Sequence, residues 1–426
     1  MSHITDIENR GIYSDLLRKF RSEGWSIYIV TPHERSLGVP TELVERNGAH
    51  ILGVKTLNLQ KTNVVEKGVG QVLVEGQFKR AIKRHFSDVQ FDLILYSTPP
   101  ITLTNVVSYL KRRNPKAVSY LLLKDIFPQN AVDIGMFSEG SLFNKYFRRK
   151  EVALYKVSDY IGCMSPANVE FLLKHNDYLD REEVEVAPNS ISLIPDAIPA
   201  GAPPRNLSPN GDGSVCGGDE ERTKRLTEKL YIRSRYVLPK DKPIFVYGGN
   251  LGRPQGIDYL IECLDANKYR TDCHFVVVGN GTEYHKLQKW YEGARIASPR
   301  QQEKLNVTLM EHLPKVDYDM LVRSCDVGLI FLDHRFTIPN YPSRLLPYLE
   351  YKMPVICATD PNTDIGRIAE ENGYGYWCES VKPEDFTALV DKMLLSDRKA
   401  MGERGYEFLT KNYLVQNTYE AIVKHF

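Results

Sequence analysis

Short apolar runs, rich in β-branched and aromatic residues, recur at residues 25–30, 91–96, 117–123, 160–164 and 184–187. Runs of this length bounded by turn residues predict strands, and most are separated by stretches with the apolar spacing of a helix. Strand and helix in alternation predict a parallel sheet covered by helices on both faces. Residues 194–219, dense in Pro, Gly, Ser and Asn, break the rhythm and predict a linker or surface insertion. After a basic helical stretch, "ERTKRLTEKLYIRSRY", the rhythm restarts with apolar runs at 244–247, 274–278, 306–309, 327–331, 354–358 and 374–377. The pattern therefore predicts two α/β domains of the Rossmann-like, doubly wound kind, spanning 1–193 and 241–405, with 194–240 between them. The chain is helical by pattern from Pro383 onward, and its last part, 406–426, is placed to cross back to the first domain. The start is irregular. "MSHITDIENRGIYSDLLRKF" enters a helix near Ile12 with no strand before it, so a first strand is expected upstream of Met1.

Composition narrows the class. A chain of 426 residues fits two domains of ordinary size, and 42% hydrophobic with 26% charged residues is a globular composition. Lys and Arg total 55 against 54 Asp and Glu, so no global field recruits nucleic acid. The seven cysteines are scattered without a Cys-x-x-Cys pair, which points to a reducing cytoplasm. No run approaches the ~20 apolar residues of a membrane helix, and no secretion signal opens the chain, so a cytoplasmic protein is expected.

In open α/β sheets ligands sit beyond the carboxyl ends of the strands, so candidate chemistry is sought there. In "FVYGGNLGRPQGIDYLIECL" the turn holds Gly248, Gly249, Asn250, Gly252, Gln255 and Gly256 around Arg253. Bare backbone, a helix N-terminus near Ile257 and a planar cation suit a phosphate, although a tight turn with a surface arginine reads equally well. "VVVGNGTEYHKL" repeats the design with Gly279, Gly281 and Glu283, the last equally a plain helix-start carboxylate. In "LDHRFTIPNYPSRLLPYLEYKMPVICATDPNTDIG", Ser343 and Arg344 open a helix that carries Glu350. Its loop Asp360, Asn362, Thr363, Asp364 could hold an anion or sugar hydroxyls, or merely cap and turn. The first domain offers Arg10 and Gly11 before a helix, Thr98 after one strand, and Lys124 and Asp125 after another. Asp125 is placed for cleft chemistry or for capping. His3, His33, His312 and His334 read as surface residues. The segment "SLFNKYFRRKEVALYKV" mixes aromatics with Lys145, Arg148, Arg149, Lys150 and Lys156, and suits either an anionic membrane surface or a solvated helix.

Taken in order, "GGNLGRPQG", "VVVGNGTE", "SRLLPYLEYKMPVICATD" and "GYGYW" resemble the nucleotide-sugar domain of GT-B glycosyltransferases, specifically the retaining family 4. The first half is similar to WbuB-like enzymes that build bacterial surface polysaccharides. The resemblance implies a C-terminal domain holding a nucleotide-diphosphate sugar, with a UDP-sugar favoured, and a lipid-linked or saccharide acceptor over the N-terminal domain. It implies no metal or other cofactor. Composition and the basic helix together lead to the expectation of a cytoplasmic protein, either free or peripheral on the inner face of the cell membrane. The resemblance makes Arg253 and Asp125 the catalytic candidates. Gly249, Asn250, Gly252, Gln255, Gly279, Gly281, Glu283, Ser343, Arg344, Glu350, Asp360, Asn362, Thr363 and Asp364 become donor-binding candidates. Arg10, Gly11, Thr98 and Lys124 fall on the acceptor side. The family's second basic residue is Gln255 here, and its ribose-binding glutamate matches Pro347, with Glu350 one helical turn on. Two rivals remain open: a non-hydrolysing nucleotide-sugar epimerase, which needs converging carboxylates and histidines, and a non-catalytic nucleotide-sugar-binding partner.

Overall fold

The computed structural model describes residues 3–59, 64–193, 217–296 and 305–426. Most of the expected 194–219 linker lies outside them. The described chain forms two α/β domains that face each other across a cleft, the GT-B arrangement.

The C-terminal sheet contains β8 (Ile244–Asn250), β9 (His274–Asn280), β10 (Val307–Met310), β11 (Val327–Phe331), β12 (Val355–Thr359) and β13 (Gly375–Glu379). All pairings are parallel, in the order β10-β9-β8-β11-β12-β13. Central strands buried on both faces must be apolar throughout, and "VGLIF" and "VICAT" are buried at every position. The order reverses between β8 and β11, which opens a crevice where their carboxyl ends diverge. The helix Gly217–Arg235 docks onto this domain, with Arg233 buried against Ser324 O (2.9 Å) and Asp326 (2.6 Å).

The N-terminal domain contains β1 (Ile27–Glu34), β2 (Glu42–Arg46), β3 (Ala49–Thr56), β4 (Leu93–Ser97), β5 (Val118–Leu123), β6 (Tyr160–Cys163) and β7 (Val184–Val186). They form two separate sheets, β1-β3-β2 and β4-β5-β6-β7. The hairpin β2–β3 is not among the strands expected from sequence, although β3 carries the buried apolar run 49–54 and its turn is legible. Arg46 pairs with Ala49 across Asn47-Gly48, whose φ values of 49° and 71° are the left-handed pair that a two-residue hairpin requires. His33, expected at the surface, is buried because its ring packs over Gly53, with Nδ1 3.1 Å from Pro40 O.

The C-terminal segment joins the domains. After the helix Arg398–Asn412, Leu414 bridges Ile191, and the helix Val415–Val423 buries Ile422 beside Leu16 and Phe20 of the first domain. The six described cysteines are buried and unpaired.

Candidate active site

A cleft of about 670 Å³ runs between the carboxyl ends of the two domains' strands. On the C-terminal side, β8 ends in Gly248 and Gly249. A side chain at Gly248 would collide with the Tyr318 ring, and Gly249 has a φ of 119°. The second position needs glycine for its backbone, the first for close packing. The turn that follows is stapled by Gln255, whose Oε1 accepts from Asn250 Nδ2 (3.0 Å) and from Gly252 N (3.1 Å). A lysine could not accept either bond, so Gln255 holds the loop's shape.

Opposite Gly249 stands Arg344. Its guanidinium lies over the Tyr247 ring at 4.3 Å, and its Nη1 is shut off from solvent with no hydrogen-bond partner among the described residues. No carboxylate among them pairs with it either. Leaving a charged donor buried and unpaired costs on the order of 1–3 kcal/mol or more, so the position selects for an anion supplied from the cleft. Lys315 and Tyr318 line the same wall, brought there by the helix Lys315–Arg323.

The N-terminal wall is built on β5. Thr98 is fully buried, and its Oγ1 accepts from Lys124 N (3.0 Å) and Asp125 N (3.2 Å), which fixes the strand end. Burial pushes the Asp125 carboxyl up to about 6, opposed by a 2.6 Å bond from Asn130 Nδ2. Burial likewise lowers the Lys124 ammonium to about 7, while its Nζ donates to Ala187 O at 3.0 Å. Asn130 Oδ1 and Asn189 Oδ1 are buried, unpartnered, and belong to cleft-lining residues.

Of the expected site residues, the cleft gathers Arg10, Gly11, Lys124, Asp125, Gly249, Asn250, Gln255, Ser343 and Arg344. Others stand elsewhere. Arg253 has a side chain 58% exposed, 3.6 Å from Glu283, and Glu283 also pairs with Lys286 at 2.8 Å. Gly279 and Gly281 lie against the backbone of Gly249 and Leu251, behind the site. Glu350 forms an ion pair with Arg10 across the domain boundary. Asp360 spends its carboxylate on Asn362 N, Thr363 N and Thr363 Oγ1 at 2.8–2.9 Å. Thr363 Oγ1 also accepts from Asn340 N, and Asn362 donates to Phe336 O. Asp364 accepts from Ala167 N of the first domain at 3.0 Å. These polar loop residues shape and join the cleft walls. Asn130, Asn189, Lys315, Tyr318, Asn340 and Tyr341 line the cleft and were not singled out from sequence. Asn189 lies three residues past β7, so the strand-end rule could have found it, whereas Lys315 and Tyr318 reach the cleft on the helix Lys315–Arg323.

Residues 228–408 match the family Glycosyl transferases group 1. The probable glycosyltransferase WbjE of Pseudomonas aeruginosa is 21% identical over 83% of this chain and 78% of its own length. The putative colanic acid biosynthesis glycosyl transferase WcaI of Escherichia coli K12 is 25% identical over 37% of this chain and 36% of its own. Sucrose-phosphate synthase from Thermosynechococcus elongatus superposes with a TM-score of 0.69 at 13% identity, covering 100% of this chain and 96% of that one. An E. coli trehalose-6-phosphate protein bound with UDP-2-fluoro glucose superposes with a TM-score of 0.67 at 10% identity, covering 100% and 97%. The chain thus carries the GT-B fold and is related to glycosyltransferases, with the family match centred on the C-terminal domain.

Proposed function

We propose that this protein is a retaining, WbuB-like glycosyltransferase of family 4. It moves a sugar from a nucleotide-diphosphate sugar, most simply a UDP-sugar, to a lipid-linked or saccharide acceptor in bacterial surface-polysaccharide synthesis. The observation that carries the reading is the buried, unpartnered Nη1 of Arg344, whose guanidinium faces the bare backbone of Gly249 at the strand-order switch point. Arg344 would neutralise the leaving diphosphate, so the reading calls on no metal. The bond from the anomeric carbon to phosphate breaks, the acceptor oxygen bonds on the same face, and its proton passes to the leaving phosphate oxygen. Asp125, on the opposite wall, accepts the acceptor hydroxyl's hydrogen bond and orients it.

Among the described residues, the cleft lining has two carboxylates, Asp15 and Asp125, and no histidine. Asp15 is already tied to Arg18 (2.6 Å) and Ser192 N (2.9 Å), which leaves an epimerase without its acid–base pair. A ligand that binds only the folded state raises its stability, so a thermal-shift panel of UDP, GDP, TDP and ADP tests the donor site. UDP is expected to raise Tm by several degrees. A folded sample unmoved by all four would sink the donor reading, and binding without transfer would favour the non-catalytic rival.

The helix Leu142–Val157 bears on the acceptor. It is capped by Ser141, whose Oγ accepts from Asn144 N (3.2 Å), and anchored by Phe147 against Phe127, with Arg148 paired to Glu151. Leu142 (85%) and Phe143 (68%) remain exposed beside Lys145 and Arg149. Apolar tips within a basic rim suit an anionic bilayer that presents a lipid-linked acceptor on the inner face of the membrane. No helix among the described residues is long and apolar enough to cross one. Changing both Leu142 and Phe143 to serine is expected to weaken binding to anionic vesicles about tenfold or more. Unchanged co-sedimentation would remove the membrane role from this helix.

A further inference from the structure

The two walls of the cleft leave opposite hydrogen-bonding groups open. Arg10, Lys124, Lys315 and Arg344 are its cationic lining. On the donor wall Arg344 keeps a buried Nη1 with no partner among the described residues. The other three cations are engaged: Arg10 pairs with Glu350, Lys315 with Asp319, and Lys124 Nζ donates to Ala187 O at 3.0 Å. Burial also lowers the Lys124 ammonium to about 7, so it loses its charge just above neutral pH and anchors a phosphate poorly. On the N-terminal wall the open groups are oxygens. Asn130 Oδ1 and Asn189 Oδ1 are buried without a partner among the described residues, and no cation among those residues bonds to the Asp125 carboxylate.

Asn130 is held in one orientation. It sits in the short helix Gln129–Asp133 just after the end of β5, with its backbone N–H on Ile126 O at 3.0 Å. Its amide nitrogen donates to Asp125 Oδ1 at 2.6 Å. The reversed amide would bring two hydrogen-bond acceptors to that distance, so Oδ1 is the end left over. Asp125 and Asn130 thus form a rigid pair of neighbouring oxygens on the cleft wall. A buried oxygen without a donor is costly, so the pair selects a ligand that presents two neighbouring O–H or N–H groups. A sugar ring does so wherever adjacent carbons carry two hydroxyls, or a hydroxyl and an acetamido group. A lipid phosphate in the same place offers acceptors rather than donors and sets its charge against the Asp125 carboxylate.

We infer that the reacting end of the glycosyl acceptor is a sugar with two neighbouring hydrogen-bond donors, one received by Asp125 and the other by Asn130 Oδ1, and is not a lipid phosphate. Asn130 then selects which hydroxyl reacts, because a site built to bond a substrate O–H or N–H rejects the analogue that lacks it. The inference rests on the transferase reading above. It places the reaction after a transfer that has already attached a first sugar to the carrier.

The test uses the full chain with excess UDP. The sugar probes are methyl glycosides of glucose, galactose, mannose, rhamnose and N-acetylglucosamine, and the phosphate probe is farnesyl phosphate. UDP affinity is measured first on each sample, so the donor site is read separately. At least one glycoside is expected to bind the UDP-loaded protein more tightly than farnesyl phosphate does. Asn130→Ala is expected to weaken that glycoside about tenfold and to leave UDP affinity within about twofold, because the donor wall is untouched. The substitution also releases Asp125, so the decisive readout is a cycle with monodeoxy forms of the bound glycoside. Loss of one particular hydroxyl should weaken binding about tenfold in the parent and less than about twofold in Asn130→Ala. Equal losses in the two proteins would overturn the inference and leave the donor reading standing. So would tighter binding of farnesyl phosphate than of every glycoside, or no glycoside bound at about 10 mM, in a sample that binds UDP. A folded protein that does not bind UDP would overturn both.

Discussion

Arg344→Ala is expected to weaken UDP-sugar binding by about 10- to 150-fold while leaving the fold intact. The substitution removes the planar cation that faces Gly249, and a charge-assisted bond to an anion is worth ~1.5–3 kcal/mol net, which is the range of that loss. Without ligand the variant loses the contact with Tyr247 but also removes a buried Nη1 with no partner, and the two opposing terms should leave its stability within about 1 kcal/mol of the parent's. Arg344→Lys keeps a charge but neither the fork of donors nor the flat contact with Tyr247, and should fall between the two. Arg253→Ala is the informative contrast. Arg253 carries the sequence resemblance to a phosphate-binding position, yet its side chain is exposed and pairs with Glu283 outside the cleft lining. Its loss should change donor affinity by less than about threefold, the worth of an exposed ion pair. Titration calorimetry on the three variants decides the matter. Full donor affinity in Arg344→Ala with a large loss in Arg253→Ala would reverse the assignment of the anion site.

Asp125→Asn should reduce transfer by about 10²-fold or more with donor affinity unchanged, because the change keeps the shape and deletes the charge that orients the acceptor hydroxyl. A stability effect of opposite sign accompanies it. Burial raises the Asp125 carboxyl from its ordinary 3.8 to about 6 in the folded protein. The folded state therefore holds this proton more tightly than the unfolded chain does. That contribution to stability is full below pH ~4 and is lost as pH rises through about 6. At neutral pH the ionised carboxylate thus costs the fold up to ~3 kcal/mol, and Asn should recover part of it. Transfer by the parent should rise with pH through about 6 as Asp125 ionises, and this step should be missing from residual activity in the Asn variant. An Asp125→Asn protein that is both less stable at pH 7 and fully active would show a capping residue with no place in transfer.

Much of the fold was legible in the chain because parallel strands buried on both faces must be continuously apolar. All six C-terminal runs became strands, and the parallel order of that sheet follows from strands spaced by helices. Within the β2–β3 hairpin, the outer strand Glu42–Arg46 is exposed at every position and carries no apolar run, so it is invisible to this rule. Its marks in the sequence are the Asn47-Gly48 turn and the buried apolar run of β3 that follows. The candidate site was less legible. Glycines, arginines and short polar residues at strand ends flagged the right loops but could not say which groups face the cleft. Asp360, Asn362, Thr363 and Asp364 look like a binding loop in one dimension, and in three they bond to one another, to residues 336–340 and to Ala167.

By itself the sequence determined that there are two α/β domains, where most of their strands end, that Gly249 and Asp125 lie at such ends, and that Arg344 opens a helix. Hydrophobic periodicity and backbone conformation are local properties, so they can be read locally. Only the tertiary structure decided that Arg344 Nη1 lacks a partner while Arg253 and Glu350 are paired, that Gln255 braces its own turn, and that β1 and β4 fall in separate sheets. Each of these depends on which distant groups meet and which are shut away from water, and residue spacing along a chain does not encode that.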